Sequence, residues 1–251
     1  MIKTIEMIAK KAGEEVLEIY NSMSSIEVKI KNDNSPVTKA DLNSERVIVS
    51  MLKNHFKYPI LTEETPIAYQ ETKLWEKYWL VDPLDGTKDF IDKNGEFTIN
   101  IALIVNSRPI LGVVYAPALN LMYSAQEGKG SYKNNIKIFN SSKRKKLIGA
   151  DSRYHSTDET INFFNKFDIN KIKRVGSALK LCYLAEGKID VYPRFNGTKE
   201  WDTAASHIIC IEAGCKLIDV ETKNELLYHK ESIINNSFVA SRNDLNFYDF
   251  L

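Results

Sequence analysis

The chain has 251 residues, 43% of them hydrophobic and 27% charged, enough to bury a full core as one large domain or two lobes. A formal net charge of +1 designates no nucleic-acid polymer as partner, and an apolar run such as Ile101 to Val105, which none exceeds, is far too short to cross a bilayer. Three cysteines, Cys182, Cys210 and Cys215, form no C-x-x-C pair, and their odd number is poor material for a disulfide framework, which suits a reducing compartment.

Ile5, Ile8, Ala9, Ala12, Val16 and Ile19 share one face of a predicted N-terminal helix, and Lys10, Lys11, Glu14, Glu15 and Glu18 occupy the other. That pattern is unlike a signal peptide, so a soluble cytoplasmic chain is expected, with peripheral association on the inner membrane face left open. Thr38-Lys39-Ala40-Asp41 has the form of a capping box opening a helix from Leu42 to about Phe56, with Val47, Ile48, Met51 and Leu52 as its apolar stripe. Pro59 to Thr62 reads as a short strand that ends at Glu63-Glu64, and Trp79 to Val81 as the buried end of another. Strands at Phe97–Val105, Ile110–Tyr115 and Leu121–Ser124, with turn signals at Ser107-Arg108-Pro109 and Glu127 to Gly130, predict an antiparallel meander. The basic run around Lys143 to Lys146 reads as a solvated linker, dividing a lobe at 1–142 from one at 143–251. Beyond it, strands and helices alternate: Leu147–Ala150, Thr157–Phe167, Ile172–Gly176, Ala178–Glu186, Ile189–Tyr192, Trp201–Ala213 and Lys216–Val220.

The segment Asp82-Pro83-Leu84-Asp85-Gly86-Thr87 concentrates the chemistry. Pro83 fixes its φ in a turn, so Asp82 and Asp85 project from a stiff corner. A hard cation such as Mg²⁺ takes carboxylate and carbonyl oxygens, which makes the Leu84 carbonyl a third candidate ligand. Gly86 permits close backbone approach, and the N–H groups of Gly86 and Thr87 at a helix start can face a phosphate. An Asp-rich surface turn would carry the same letters, as an exposed acidic turn would carry Glu63-Glu64. Asp202 falls in the first turn of its helix, where the helix dipole alone, worth about 0.3–1 kcal/mol, would account for it. If four such carboxylates gather within about 5 Å, each pair repels by roughly 3 kcal/mol at an effective dielectric of 20, and the cluster requires cations. The histidines, His55, His155, His207 and His229, show no metal-ligand spacing and read as surface or edge residues.

Glu63-Glu64, Asp82 to Thr87 and Trp201-Asp202-Thr203-Ala204-Ala205 together resemble, in order and spacing, the signature of the inositol monophosphatase superfamily of metal-dependent, lithium-sensitive phosphatases. Lys88-Asp89-Phe90 leading to Asn94–Leu103, then Leu111–Pro117 and Tyr192-Pro193-Arg194-Phe195, are similar to its CysQ branch, the 3'(2'),5'-bisphosphate nucleotidases. The resemblance runs from Ala12-Gly13 to about Ala240. It implies a layered α-β-α-β-α sandwich of two lobes with mixed and antiparallel sheets, the active site lying between them. It also implies two or three Mg²⁺ ions, one held by Glu63, Asp82 and the Leu84 carbonyl and a second by Asp82, Asp85 and Asp202. Thr87 and Asp41 would orient the attacking water, with Glu64 behind the ligands. Capping alone would equally explain Asp41, and the two roles are compatible if Thr38 caps the helix while the carboxylate points at the site.

Carried over residue by residue, the substrate contacts would be Glu63, Asp85, Gly86, Thr87, Lys88 and Asp202, with Ser177, Lys180 and Arg194 from the second lobe. An exposed helix lysine and a surface strand arginine are the plainer readings of Lys180 and Arg194. Ala178 stands where close relatives often have a further Ser, which weakens the nucleotide assignment. Three functions remain open: a nucleotidase acting on adenosine 3',5'-bisphosphate, a phosphatase of inositol or sugar phosphates, and a catalytically silent metal or nucleotide sensor. The first is expected, as monomer or homodimer.

Overall fold

The computed structural model describes residues 1–22, 28–30, 36–247 and 250, and the chain begins with an outer helical layer. Helix α1 (Ile2–Asn21) buries Ile5, Ile8, Ala9, Ala12 and Val16, the predicted stripe, with Ile19 half-buried at its end. After an antiparallel ribbon of β1 (Val28–Ile30) and β2 (Pro36–Thr38) comes α2 (Lys39–His55). Thr38 Oγ1 accepts from the Ala40 N–H, and the Thr38 N–H donates to Asp41 Oδ2 at 2.7 Å. The helix starts ahead of the predicted Leu42 because the cap, and not the apolar stripe, sets its first turn.

A seven-stranded sheet follows: β3 (Ile60–Thr62), β4 (Lys77–Asp85), β5 (Thr98–Val105), β6 (Arg108–Ala116), β7 (Leu121–Gln126), β8 (Gly130–Lys133) and β9 (Ile136–Ile138). The strands lie side by side in chain order, and only β3 and β4 are parallel. Short helices α3 (Tyr69–Thr72) and α4 (Thr87–Ile91) occupy the connections around β4. The two-residue period is clean. Trp79, Val81, Ile101, Leu103 and Val113 pack against α1 and α2, while Tyr78, Leu80, Ala102, Ile104 and Val114 face the other way into a second core.

Two hairpins correct the sequence reading. Arg108 and Pro109, expected in a turn, belong to β6; the turn is Asn106-Ser107, with φ of 48° and 64°. Asn134-Asn135, at 45° and 67°, makes a second such turn between the unforeseen strands β8 and β9. Consecutive left-handed residues are what a two-residue hairpin loop needs, and Asn tolerates them.

The second sheet has the order β11-β10-β12-β14-β13 and is mixed. It is built from β10 (Ile148–Ser152), β11 (Lys171–Val175), β12 (Val191–Arg194), β13 (Cys215–Asp219) and β14 (Phe238–Arg242), with α5 (Asp158–Lys166), α6 (Leu179–Ala185) and α7 (Glu200–Glu212) between them. Strand β14 was not predicted; it inserts between β12 and β13, antiparallel to both. Helices α6 and α7 fill the space between the sheets: Leu179, Cys182, Ala204 and Ile208 pack with Tyr78, Leu80 and Val114 on one side and Tyr192, Leu217 and Phe238 on the other. Gly112 lets α7 approach β6, since a Cβ there would stand 2.2 Å from the Ala205 carbonyl oxygen. Phe163 and Phe164 of α5 cover the far face against Val191 and Val239. The layers thus run α-β-α-β-α. Among the described residues no helix is long and apolar enough to cross a membrane.

Candidate active site

The carboxylates converge where β3 and β4 end beneath the start of α7. Strand β4 does not stop at Pro83 as the sequence suggests; it continues to Asp85 through an irregularity. Proline has no N–H to donate to the ladder, and its carbonyl instead accepts from Ser44 Oγ at 2.7 Å. Asp82 pairs with Asn100 and Asp85 with Thr98, so three steps along β4 match two along β5. In a regular strand residues three apart point to opposite faces; the extra residue brings Asp82 and Asp85 to the same one.

Glu63, Asp82 and Asp202 each offer an oxygen within 4.8 Å of the other two. Asp85 stands outside that trio, its Oδ2 accepting from the Ala178 N–H at 2.7 Å and from Asn100 Nδ2 at 3.4 Å. The Ala178 contact is made by the backbone, so the missing Ser hydroxyl does not affect it. Asp202 Oδ2 accepts from the Lys199 N–H at 2.8 Å, which closes the first turn of α7 as well as facing the cluster.

These groups line a cavity of about 490 Å³ together with Leu84, Gly86, Thr87, Lys88, Ser177, Lys180 and Arg194, every one of them anticipated from the sequence. Asp41 and Glu64 do not line it. Asp41 reaches the cavity through Thr87, whose Oγ1 is 3.2 Å from Asp41 Oδ1 and 3.4 Å from the Leu84 carbonyl oxygen. Its other oxygen, Oδ2, is fixed by the Thr38 N–H and hydroxyl, both at 2.7 Å. Capping and site contact therefore coexist in one carboxylate. Glu64 is half-buried beside Glu63.

Burial sets the electrostatics. The Asp82 carboxyl is held well above the ordinary carboxylate range by desolvation, then by the charges of Glu63, Asp85 and Asp202. Asp202 is raised by burial and by Asp85 and Glu63. Asp85 is pushed up by burial to about 6, against the pull of Lys180 and the Ala178 N–H. Asp82 Oδ1 accepts from the Leu84 N–H at 3.0 Å, but Oδ2, in a residue only 1% exposed, has no hydrogen-bond partner. An orphaned, buried carboxylate oxygen among like charges fits a cation.

Lys180 and Arg194 are buried, against the plainer sequence readings. Lys180 Nζ donates to the carbonyls of Ser177 at 2.7 Å and Val175 at 3.2 Å, and burial lowers its pKa to about 8. Arg194 Nε donates to the Asn196 carbonyl at 2.9 Å. His155 lies at the same cavity, its imidazole depressed by desolvation and then by Arg194, Lys88 and Lys180. His207 corrects the sequence reading: α7 carries it into the middle layer, fully buried, with Nδ1 2.9 Å from Tyr228 Oη. Lys199, Tyr154, Asp89 and Thr198 also line the cavity and were not named as site residues; Asp89 carried a signal as part of Lys88-Asp89-Phe90, and Lys199 as the residue preceding Glu200-Trp201-Asp202. Asp89 packs so closely against the connection between β11 and α6 that a Cβ on Gly176 would stand 2.5 Å from its carboxyl.

The described cysteines are all buried thiols, raised by desolvation, and take no part in the cavity.

The protein described as 3'(2'),5'-bisphosphate nucleotidase CysQ of Salmonella typhimurium is 40% identical over 247 residues, covering 95% of this chain and 98% of the relative. That of Escherichia coli strain K12, described in the same words, is 40% identical over 250 residues, covering 96% and 99%. The crystal structure of CysQ from Bacteroides thetaiotaomicron, described as a bacterial member of the inositol monophosphatase family, superposes with a TM-score of 0.85 at 37% identity, covering 96% of this chain and 97% of that one. With the inositol monophosphatase family profile matching residues 1–246, and with the carboxylates of its signature gathered in one cavity, the chain belongs to the inositol monophosphatase family.

Proposed function

We propose that the protein is a Mg²⁺-dependent 3'(2'),5'-bisphosphate nucleotidase that hydrolyses the 3'-phosphate of adenosine 3',5'-bisphosphate to AMP and phosphate, a step tied to sulfate assimilation. One observation carries the reading: a single cavity is lined both by a carboxylate cluster with an orphaned buried oxygen and by Lys88, Lys180 and Arg194. A monophosphate needs only the first half of that lining; a bisphosphate uses both. The nucleotidase relatives at 40% identity support the same substrate class.

In this reading Glu63, Asp82 and Asp202, with Asp85 and the Leu84 carbonyl, hold two or three Mg²⁺ ions, and lithium competes for one of the positions. Bound there, Mg²⁺ would lower the pKa of a water and offset charge on the phosphoryl oxygens. Thr87 takes the role of positioning that water. Its hydroxyl proton is directed to Asp41 Oδ1, 3.2 Å away, leaving lone pairs on Oγ1 to accept a hydrogen bond from the nucleophile, whose proton would move to Oγ1 as the Thr87 proton moves to the Asp41 carboxylate. Asp41 acts through Thr87 and is kept in place by the two Thr38 donors. The backbone of Gly86, Thr87 and Lys88 receives the scissile phosphate, and the terminal guanidinium nitrogens of Arg194 receive the second one bidentately. Lys180 holds the 175–178 segment by its carbonyls and adds positive charge beside it. The lobe division at 142/143 remains part of this proposal.

Phosphate release from adenosine 3',5'-bisphosphate, inositol 1-phosphate and fructose 1,6-bisphosphate tests it. The nucleotide is expected to have the highest kcat/KM, because remote contacts supply binding energy that the smaller substrates lack. Arg194→Ala should lower kcat/KM for the bisphosphate by roughly 10- to 100-fold, the worth of one charge-assisted pair, and leave inositol 1-phosphate nearly unchanged. A preference for inositol 1-phosphate would keep the metal site and replace the nucleotidase reading with that of an inositol or sugar phosphatase.

A further inference from the structure

We propose that Lys199 is a built-in counter-ion of the carboxylate cluster, competing with the metal for Glu63 and so setting how tightly the site holds it. The inference rests on the metal-site reading of Glu63, Asp82 and Asp202 given above. Lys199 immediately precedes α7 and touches two members of the trio with its two ends. Its backbone N–H donates to Asp202 Oδ2 at 2.8 Å, while its Nζ lies 3.7 Å from Glu63 Oε1. The ammonium is also 5.6 Å from the centroid of the Trp201 ring, whose face attracts a cation. The side chain is 31% exposed and lines the cavity, so it has room to withdraw.

The charges give this arrangement a function. Three carboxylates gathered within 4.8 Å repel one another, and a neighbouring ammonium offsets part of that repulsion. The same ammonium repels any divalent ion that Glu63 takes up. A lysine suits such a role: it is a compact charge on a flexible four-carbon stem, able to leave its carboxylate where an arginine fork would be held by paired bonds. Lys199 thus steadies the metal-free protein and weakens metal uptake by the same interaction.

Calorimetric titration of Mg²⁺ into chelator-stripped wild type, Lys199→Met and Lys199→Gln, with thermal melts of the same proteins without metal, tests the proposal. Both neutral variants should bind Mg²⁺ about tenfold more tightly than wild type and melt at lower temperature when stripped. The affinity gap should narrow in high salt, since the lysine is partly exposed. Using two neutral variants keeps the test open if one fails to fold. Unchanged or weaker Mg²⁺ binding by the neutral variants would overturn the counter-ion role and leave Lys199 as a substrate contact. Absence of Mg²⁺ uptake by wild type and variants alike would overturn the metal-site reading itself, a separate and distinguishable result.

Discussion

Asp82 is buried to 1%, faces Glu63, Asp85 and Asp202, and has one oxygen without a hydrogen-bond partner. A neutral amide of the same shape removes the repulsion and also removes the charge on which a cation depends. Asp82→Asn should therefore fold as well as wild type in the absence of metal, lose its stabilisation by Mg²⁺, and fall in turnover by roughly a hundredfold or more. Thermal melts with and without Mg²⁺, read beside the phosphate-release rate, check this; near-wild-type turnover with intact Mg²⁺ dependence would refute the assignment. Asp82, Asp85, Thr87 and Asp202 were legible as residues because motif letters survive in one dimension. The state of Lys180 and Arg194 was not, since a cation reads the same whether it lies on a surface or under a cavity floor.

At the scale of elements, α7 is the piece that both fills the middle layer and presents Asp202. Its depth against the first sheet depends on Gly112, where a Cβ would meet the Ala205 carbonyl at 2.2 Å and Ile208 Cγ2 at 2.6 Å. Backbone atoms cannot swing aside as a side-chain tip can. Gly112→Ala is expected to cost about 1–3 kcal/mol or more in urea unfolding and to lower turnover, because shifting α7 moves Asp202 away from Glu63 and Asp82. Gly128→Ala is the control: nothing lies within 4 Å of its Cβ, and only the left-handed φ of +69° is strained. It should cost roughly 1–2 kcal/mol and leave turnover unaltered. Equal turnover losses in the two variants would mean that general destabilisation, and not the position of α7, is being read.

For the whole molecule, the raised carboxyls couple stability to pH and metal. Asp85 holds its proton to about pH 6 in the folded protein against 3.8 ordinarily, and Asp82 and Asp202 are raised as well. The folded, metal-free state therefore binds more protons than the unfolded chain above about pH 4; the stability that Asp85 confers is lost as pH rises through about 6, and Asp82 and Asp202 act in the same direction. His207, buried and lowered to about 3, has the opposite sign in part of this window, but it lies outside the cavity and cancels when melts with and without metal are compared. Mg²⁺ should thus stabilise the protein more at pH 8 than at pH 5. At a hundredfold excess over Kd the gain is about 2.7 kcal/mol, or about 5–10 °C for a chain of this size. A Mg²⁺ shift that is absent, or larger at pH 5, would remove the carboxylate cluster from the account.

The sequence by itself determined what depends on near neighbours: the stripe of α1, the Thr38 cap of α2, the antiparallel run of β5 to β7, and the identity of the clustered carboxylates. Period and capping are local physics, written within a few residues. Only the tertiary structure decided the rest. The β4 irregularity that turns Asp82 and Asp85 to one face depends on pairing with β5, and the insertion of β14 between β12 and β13 joins segments far apart in the chain. Lys199 beside Glu63 and the Ala178 N–H on Asp85 are contacts across 136 and 93 positions. Such distances follow from how layers stack, and burial, which gives those charges their strength, is a property of the assembled layers alone.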